Sequence, residues 1–271
     1  MGKFDNQNVI ITGSTQGLGE ATARLFAKEG ASGILITGRN ADRGKVVAKD
    51  LKASGCNTRF VQANLADADA CQHIVAEAQD AFGTIHVLIN AAGITLRGTI
   101  YDTSIELWDE MMAVNLRAPF IFTQACVNTM RHHNIEGTIV NVISTSAYGG
   151  QPFLTPYSTS KGGLATFTKN VAYAVMRHGI RVNGLMLGWM DTPGEDNIQR
   201  TFHTDGADWL EDAEKQQPFG RLIKTDEAAR AISWLASSDS GLLTGALIDY
   251  DQSVIGGGDA PKPAHGEMGT E

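Results

Sequence analysis

Seven short, β-branched apolar runs alternate with longer stretches of helical period, a pattern that predicts an α/β fold: a doubly wound, seven-stranded parallel sheet with helices on both faces. Runs such as VIIT, ILIT, VLIN and TIVNVI are apolar almost without interruption, as strands buried on both faces must be. The stretches between them are long enough to carry crossover helices, which parallel neighbours require. The right-handed rule for such crossovers leaves an open, doubly wound sheet as the economical topology.

The elements follow in order along the chain. The first strand, Asn8–Thr12, runs directly into Gly13-Ser14-Thr15-Gln16-Gly17-Leu18-Gly19 and a helix over 17–29. Gly33–Thr37 is the second strand, ending in Gly38-Arg39-Asn40 ahead of a helix over 41–54. The third, Thr58–Gln62, leads through Asn64 and Leu65 to a helix over 67–82. The fourth, His86–Asn90, continues into Ala91-Ala92-Gly93, and a long helix over 104–132 follows. Gly137–Ile143 is the fifth strand and ends at Ser144; the next helix, 157–178, opens on Tyr157-Ser-Thr-Ser-Lys161. Arg181–Leu187, a helix over 226–237 and Ala246–Tyr250 complete the pattern.

No linker or composition break divides this alternation, so residues 1–258 read as a single domain. Residues 190–224 interrupt it with polar residues, aromatics and Pro/Gly punctuation, the signature of an active-site lid. Residues 259–271 read as a polar tail without periodicity.

Composition excludes several classes. With 42% hydrophobic and 19% charged residues and only 7 prolines, the chain is neither disordered nor collagen-like. Its net charge of -8, with no run of four basic residues, argues against nucleic-acid binding. The three cysteines, Cys56, Cys71 and Cys126, have neither CxxC nor Cys/His ligand spacing, so no disulfide framework or metal site is expected. No long apolar segment precedes the first strand, and the expectation is a cytoplasmic protein with no signal peptide, membrane span or membrane partner.

The glycine-rich stretch sits where a strand turns into a helix at the sheet's carboxyl edge. Glycine there permits positive φ and close backbone approach, and the helix N-terminus offers unpaired N–H groups to a pyrophosphate. The second strand ends without the carboxylate that would hold adenosine ribose hydroxyls in an NAD site; Gly38 leaves room, and Arg39 offers a guanidinium to a 2′-phosphate. NADP is the preferred cofactor and NAD the alternative, since no second basic residue supports Arg39 in the glycine loop. Four residues apart, Tyr157 and Lys161 share a helix face, where an ammonium would lower the phenol pKa and fit it for proton exchange with an alcohol or carbonyl. Ser144 belongs to the same sheet edge.

These motifs together resemble the short-chain dehydrogenase/reductase family in its single-domain form. The matching residues are Thr12-Gly13-xxx-Gly17-x-Gly19, Asn90-Ala91-Ala92-Gly93, Asn115 within AVNLRAPF, Ser144, Tyr157-xxx-Lys161, Val182-Asn183 and Thr192, in the family's order over about residues 5–255. The resemblance implies a Rossmann-like sheet and an NAD(P)-dependent oxidoreductase that interconverts a secondary alcohol and a ketone. It implies that Tyr157 is the general acid/base, that Ser144 bonds the substrate oxygen, and that Lys161 binds the nicotinamide ribose and depresses the Tyr157 pKa. Asn115 would hold a water that relays protons. The cofactor would rest on Gly13 to Gly19 (Ser14, Thr15, Gln16, Gly17 and Leu18 between them), Arg39, Asn64, Leu65, Asn90, Ala91, Ala92, Gly93, Gly188, Met190 and Thr192. Two positions depart from the family pattern: Asn64 stands where Asp is usual, and Leu187 replaces the Pro of the usual Pro-Gly pair.

The expected substrate pocket comprises Thr95, Ser146, Gln151, Leu154, Trp189 and lid residues that include Phe202, His203 and Trp209. The lid's polar groups, Glu195, Asn197, Gln199, Arg200, His203, Asp205 and Asp208, suit a sugar, polyol or similar small polar substrate. The alternatives are an oxoacyl-carrier-protein reductase, with Arg131 and Arg177 on a basic rim, and a non-catalytic cofactor-sensing or scaffold protein. The resemblance also implies a homotetramer or homodimer packed through the helices over 104–132 and 157–178 and the final helix–strand segment.

Overall fold

The computed structural model describes residues 2–203 and 208–254. Its seven strands are β1 (Asn8–Ile11), β2 (Gly33–Gly38), β3 (Asn57–Gln62), β4 (Val87–Asn90), β5 (Thr138–Val142), β6 (Arg181–Leu187) and β7 (Leu247–Tyr250). They form one parallel sheet in the order β3-β2-β1-β4-β5-β6-β7. The expected α/β sheet is present, with strand limits within a residue of those read from sequence. The helices are α1 (Gly17–Lys28), α2 (Ala41–Ala53), α3 (Ala68–Phe82), α4 (Ile105–Met112), α5 (Ala118–His132), α6 (Thr155–Val175), α7 (Pro193–Phe202), α8 (Trp209–Lys215) and α9 (Thr225–Ala236).

Strand periodicity explains the two cores. Val9, Ile11, Ile34 and Ile36 point to the face covered by α1, α2 and α9, where Phe26, Leu51 and Ile232 meet them. The alternate residues Ile10 and Leu35, with Leu88, Ile139 and Val182, face α3, α5 and α6 and meet Ile74, Phe122 and Ala172. Between them the two layers leave no water-facing side to the central strands.

Two departures from the sequence reading bear on function. The long helix over 104–132 is three pieces, because Ala113–Arg117 winds as a π-helical turn between α4 and α5. An inserted turn of this kind realigns one residue without breaking the helix, and π-turns gather at functional sites; Asn115 lies within it. The segment over 190–224 carries two helices, α7 and α8, with its ends tied by a bridge between Met190 and Ile223. Asp205 and the tail over 259–271 lie outside the described residues.

Chain order reverses between β1 and β4, since β2 and β3 build one way from β1 while β4 to β7 build the other. The helices leaving β1 and β4 diverge to opposite faces and open a crevice at the carboxyl edge, where ligands of such sheets bind. Asn141 locks the sheet to α6 beneath that crevice: its Oδ1 accepts from Asn90 Nδ2 at 2.8 Å, and its Nδ2 donates to Thr168 Oγ1 at 2.9 Å.

Candidate active site

The crevice is a cleft of about 770 Å³ that joins the glycine turn to Ser144, Tyr157 and Lys161. Its first wall is backbone. Gly13 has φ +67°, and a Cβ there would stand 2.7 Å from Ala92 Cα, so the β1 turn lies directly on the turn after β4. Thr12 Oγ1 fastens the two turns by accepting from Ala91 N at 3.1 Å and Ala92 N at 3.0 Å. The helix that follows, α1, has no side-chain cap, whereas Asn40 caps α2 and Asp67 caps α3. Its first N–H groups therefore remain open to an anion.

Thr15, Gln16, Gly17, Leu18 and Gly19 border this wall. Ser14 does not: it is fully buried, its hydroxyl donating to Ile11 O at 2.6 Å and accepting from Thr37 N at 3.0 Å, which ties the turn to β2. Gly38 has a reason beyond the one read in sequence. A Cβ there would meet Thr15 Oγ1 at 2.5 Å, so close packing of the turn also demands glycine. Arg39, Asn64 and Leu65 line the same end of the cleft. Arg43, which sequence reasoning missed, joins them from the first turn of α2. Among the described residues neither guanidinium pairs with a carboxylate. The missed signal was helical: Arg43 follows Arg39 by four residues across the N-cap.

The second wall is built by α6. Lys161 is buried, and its Nζ donates to Val142 O, the last carbonyl of β5, at 2.8 Å. One turn earlier, the half-buried Tyr157 lies beside Ser144 on the cleft, and Ser144 Oγ accepts from Ser146 N at 3.1 Å. Lys161 Nζ stands 5.8 Å from the centre of the Tyr157 ring. Contrary to the sequence expectation, the phenol pKa is raised rather than lowered in this arrangement. Burial pushes Tyr157 up to about 12, opposed by the Ser144 hydroxyl, and burial lowers Lys161 to about 8.

Asn115 and Asn90 sit behind the cleft rather than on it. Asn115 Oδ1 accepts from Ile94 N at 2.9 Å, while its Nδ2 donates to Ile94 O at 2.9 Å and Ser160 Oγ at 3.1 Å. Its side chain clamps the loop after β4 to α6, and Gly93 of that loop reaches the cleft. Asn90 Nδ2 donates to Asn141 Oδ1 at 2.8 Å and Thr123 Oγ1 at 3.4 Å, and its buried Oδ1 has no partner among the described residues.

The third wall faces the insertion. Thr95, Ser146, Gln151, Leu154, Trp189 and His203 line it, with Gly188, Met190 and Thr192 at its inner end. Ser146 Oγ donates to Gln151 Oε1 at 2.7 Å, and Thr192 Oγ1 caps α7 by accepting from Glu195 N at 3.1 Å. Phe202 and Trp209 do not border the cleft. Trp209 is buried against Trp189, ring centres 6.0 Å apart, with its Nε1 on Asp196 Oδ1 at 2.8 Å, and Phe202 is exposed. Arg97, absent from the sequence reading, enters between Thr95 and Glu195. Nothing in the sequence marks it, since it is a lone cation in an irregular loop. Among the described residues there is no cluster of metal-ligating side chains, and no helix is long and apolar enough to cross a membrane.

The model of the short chain dehydrogenase family matches residues 7–202. The chain belongs to that family. It is 31% identical to an NADP-dependent (R)-specific alcohol dehydrogenase of Lentilactobacillus kefiri over 244 residues, 89% of this chain and 94% of the other. A 3-oxoacyl-[acyl-carrier-protein] reductase of Thermotoga maritima is 32% identical, covering 93% of this chain and 99% of the other. A solved structure of a short chain dehydrogenase/reductase family protein superimposes with a TM-score of 0.80 at 29% identity, covering 93% of this chain and 98% of that one. This short chain dehydrogenase is therefore an oxidoreductase, and the non-catalytic reading falls away. The family binds NAD(P), and the residues present fit such a dinucleotide: an uncapped helix N-terminus, a backbone wall at Gly13, and unpaired guanidinium groups at one end of the cleft.

The buried ammonium of this short chain dehydrogenase has a consequence for stability. Lys161 titrates at about 8 when folded and at its ordinary 10.5 when unfolded, so between those values the unfolded chain binds more protons. Its contribution to stability therefore rises with pH across that window. Unfolding midpoints of the wild type and Lys161→Met, compared from about pH 7 to about pH 10, are expected to show the wild type gaining on the variant as pH increases. Parallel curves would mean that no buried charge is being relieved.

Proposed function

We propose that this short chain dehydrogenase interconverts a secondary alcohol and a ketone with NADP, on a sugar, polyol or similar small polar substrate. The observation that carries the reading is Tyr157 beside Ser144 in the same cleft as the uncapped N-terminus of α1. The bound cofactor supplies hydride acceptance in alcohol oxidation and hydride donation in ketone reduction. Tyr157 exchanges the proton of the reacting oxygen: it receives the hydroxyl proton as the carbinol C–H bond gives up its hydride, and returns a proton when the carbonyl is reduced. Ser144 holds that oxygen beside the phenol. A phenol held protonated by burial is ready to act as the acid, whereas its use as a base requires cationic charge nearby, from Lys161 and the oxidised cofactor. Lys161 has N–H donors besides the one on Val142 O and would hold the ribose. Asn115 positions the loop after β4 and the start of α6.

Arg39 and Arg43 together support NADP over NAD, because two guanidinium groups without carboxylate partners among the described residues suit a 2′-phosphate. The alcohol dehydrogenase relative bears an NADP-dependent name. Acyl-carrier-protein thioester reduction is the second reading, favoured by the Thermotoga maritima relative and opposed by the net charge of -8 against an acidic carrier. The helical insertion, α7 and α8, serves as the lid over the substrate. A homotetramer or homodimer is supported by the exposed Phe120, Tyr173 and Met176 on or just beyond α5 and α6.

Three measurements test this. Tyr157→Phe is expected to lower kcat by about 10²–10⁴ across a sugar, polyol and ketone panel while NADPH still raises the unfolding temperature. Thioester turnover with none on that panel would instead establish the second reading. Arg39→Ala/Arg43→Ala is expected to raise KM for NADP by about tenfold or more with a smaller change for NAD; equal changes would remove the phosphate role. Light scattering at micromolar concentration is expected to give a dimer or tetramer, and a monomer would overturn the assembly.

A further inference from the structure

We propose that Arg97 and Glu195 form a hydroxyl-reading pair for the carbon next to the reacting one, so that the preferred substrate is a neutral vicinal diol or the corresponding α-hydroxyketone. This deepens the alcohol–ketone reading above and rests on it. Arg97 comes from the loop after β4 and Glu195 from the first turn of α7, and their side chains are only 13% and 15% exposed. Both line the cleft beside Tyr157, and the phenol feels both charges.

The polar accounting of the pair defines its ligand. Glu195 Oε1 accepts from Trp189 Nε1 at 2.9 Å and Gln199 Nε2 at 2.7 Å, and Arg97 Nη2 lies 3.5 Å from it. Among the described residues, Glu195 Oε2 has no donor. Arg97 spends Nε on His203 Nε2 at 2.8 Å and Nη1 on Thr95 O at 3.1 Å, and its plane lies over the Phe153 ring at 5.5 Å. A guanidinium has five N–H groups, so donors are left over beside that free carboxylate oxygen.

A free acceptor next to free donors is the complement of a hydroxyl, which gives one hydrogen and takes others through its lone pairs. An alkyl group there would leave both sides unsatisfied in a half-buried site. A carboxylate or phosphate would bond Arg97 but face Glu195 with like charge. The pair has no net charge, and His203, accepting through Nε2, adds none. Three elements hold the groups in place: the α7 cap by Thr192, the Trp189 indole and the Phe153 ring.

The experiment compares kcat/KM for acetoin and 2-butanone, which differ by one hydroxyl beside the carbonyl, with NADPH and with NADH. The wild type is expected to prefer acetoin by about tenfold or more. Glu195→Gln and Arg97→Lys are expected to cut that preference by about tenfold, chiefly through KM. Glu195→Gln is also expected to raise the rate on acetoacetate relative to acetoin, because the repelling carboxylate is gone while its bonds to Trp189 and Gln199 can persist. A purely structural role would not produce that gain. Equal wild-type kcat/KM on the two ketones, or an unmoved preference in variants with wild-type unfolding temperatures, would overturn the pair's role and leave the alcohol–ketone reading standing. No turnover of any ketone or sugar with either cofactor would sink that reading, and this inference with it.

Discussion

A lysine charge held out of water at the end of a central strand is the constraint on which the site depends. The Lys161 ammonium meets the last carbonyl of β5, and Asn141, one residue earlier in that strand, meets Thr168 two turns further along α6. Two polar anchors between the same strand and helix fix both the rotation and the slide of α6 on the sheet. Tyr157 is therefore delivered to Ser144 at the end of β5 by the docking of the helix as a whole. A flexible loop carrying the same phenol would have to be ordered by the ligand at an entropic cost. Burying an ammonium is unfavourable unless it is paired, and the pairing here is incomplete. That incompleteness is what makes the cleft receptive.

The two sides of the cleft are built from different material. Toward the glycine turn the wall is main chain: N–H groups at the start of α1, Gly13 against Ala92, and Thr12 bracing two neighbouring turns. Main chain presents the same groups whatever the side chains, so this side depends on a few glycines and small residues. Toward the insertion the wall is side chain, with Gln151, Trp189, Glu195, Arg97 and His203 each held by another member of the group or by a neighbour. Changes there alter what is bound without disturbing the sheet.

That division also explains what could be read from sequence. Strand β1 and its turn were legible because apolar runs and glycines report on backbone requirements that few other residues meet. Tyr157 and Lys161 were legible from their spacing, since a helix converts four residues into one face. The state of the phenol was not, because its pKa follows from burial and from where the Lys161 ammonium points, and neither is written in YxxxK. The π-turn at Asn115 left no mark, as its residues have ordinary helical character. Ser14 and Asn90 carry residue types that a cofactor contact would use, yet both face inward, and only the packing distinguishes a tie from a contact. Arg97 comes to the cleft by fold geometry from a position that carries no pattern.

The Met190–Ile223 bridge has a further meaning. Asp191 N donates to Ile223 O at 3.0 Å and Ile223 N to Trp189 O at 3.1 Å, so the insertion leaves and rejoins the body of the protein at one clasp. The entropy of closing that loop is met at its base, and doubling the length of such a loop adds only about 0.6 kcal/mol. The segment thus behaves as an exchangeable cassette. The helices between the clasped ends can be rewritten at little thermodynamic expense without disturbing the sheet.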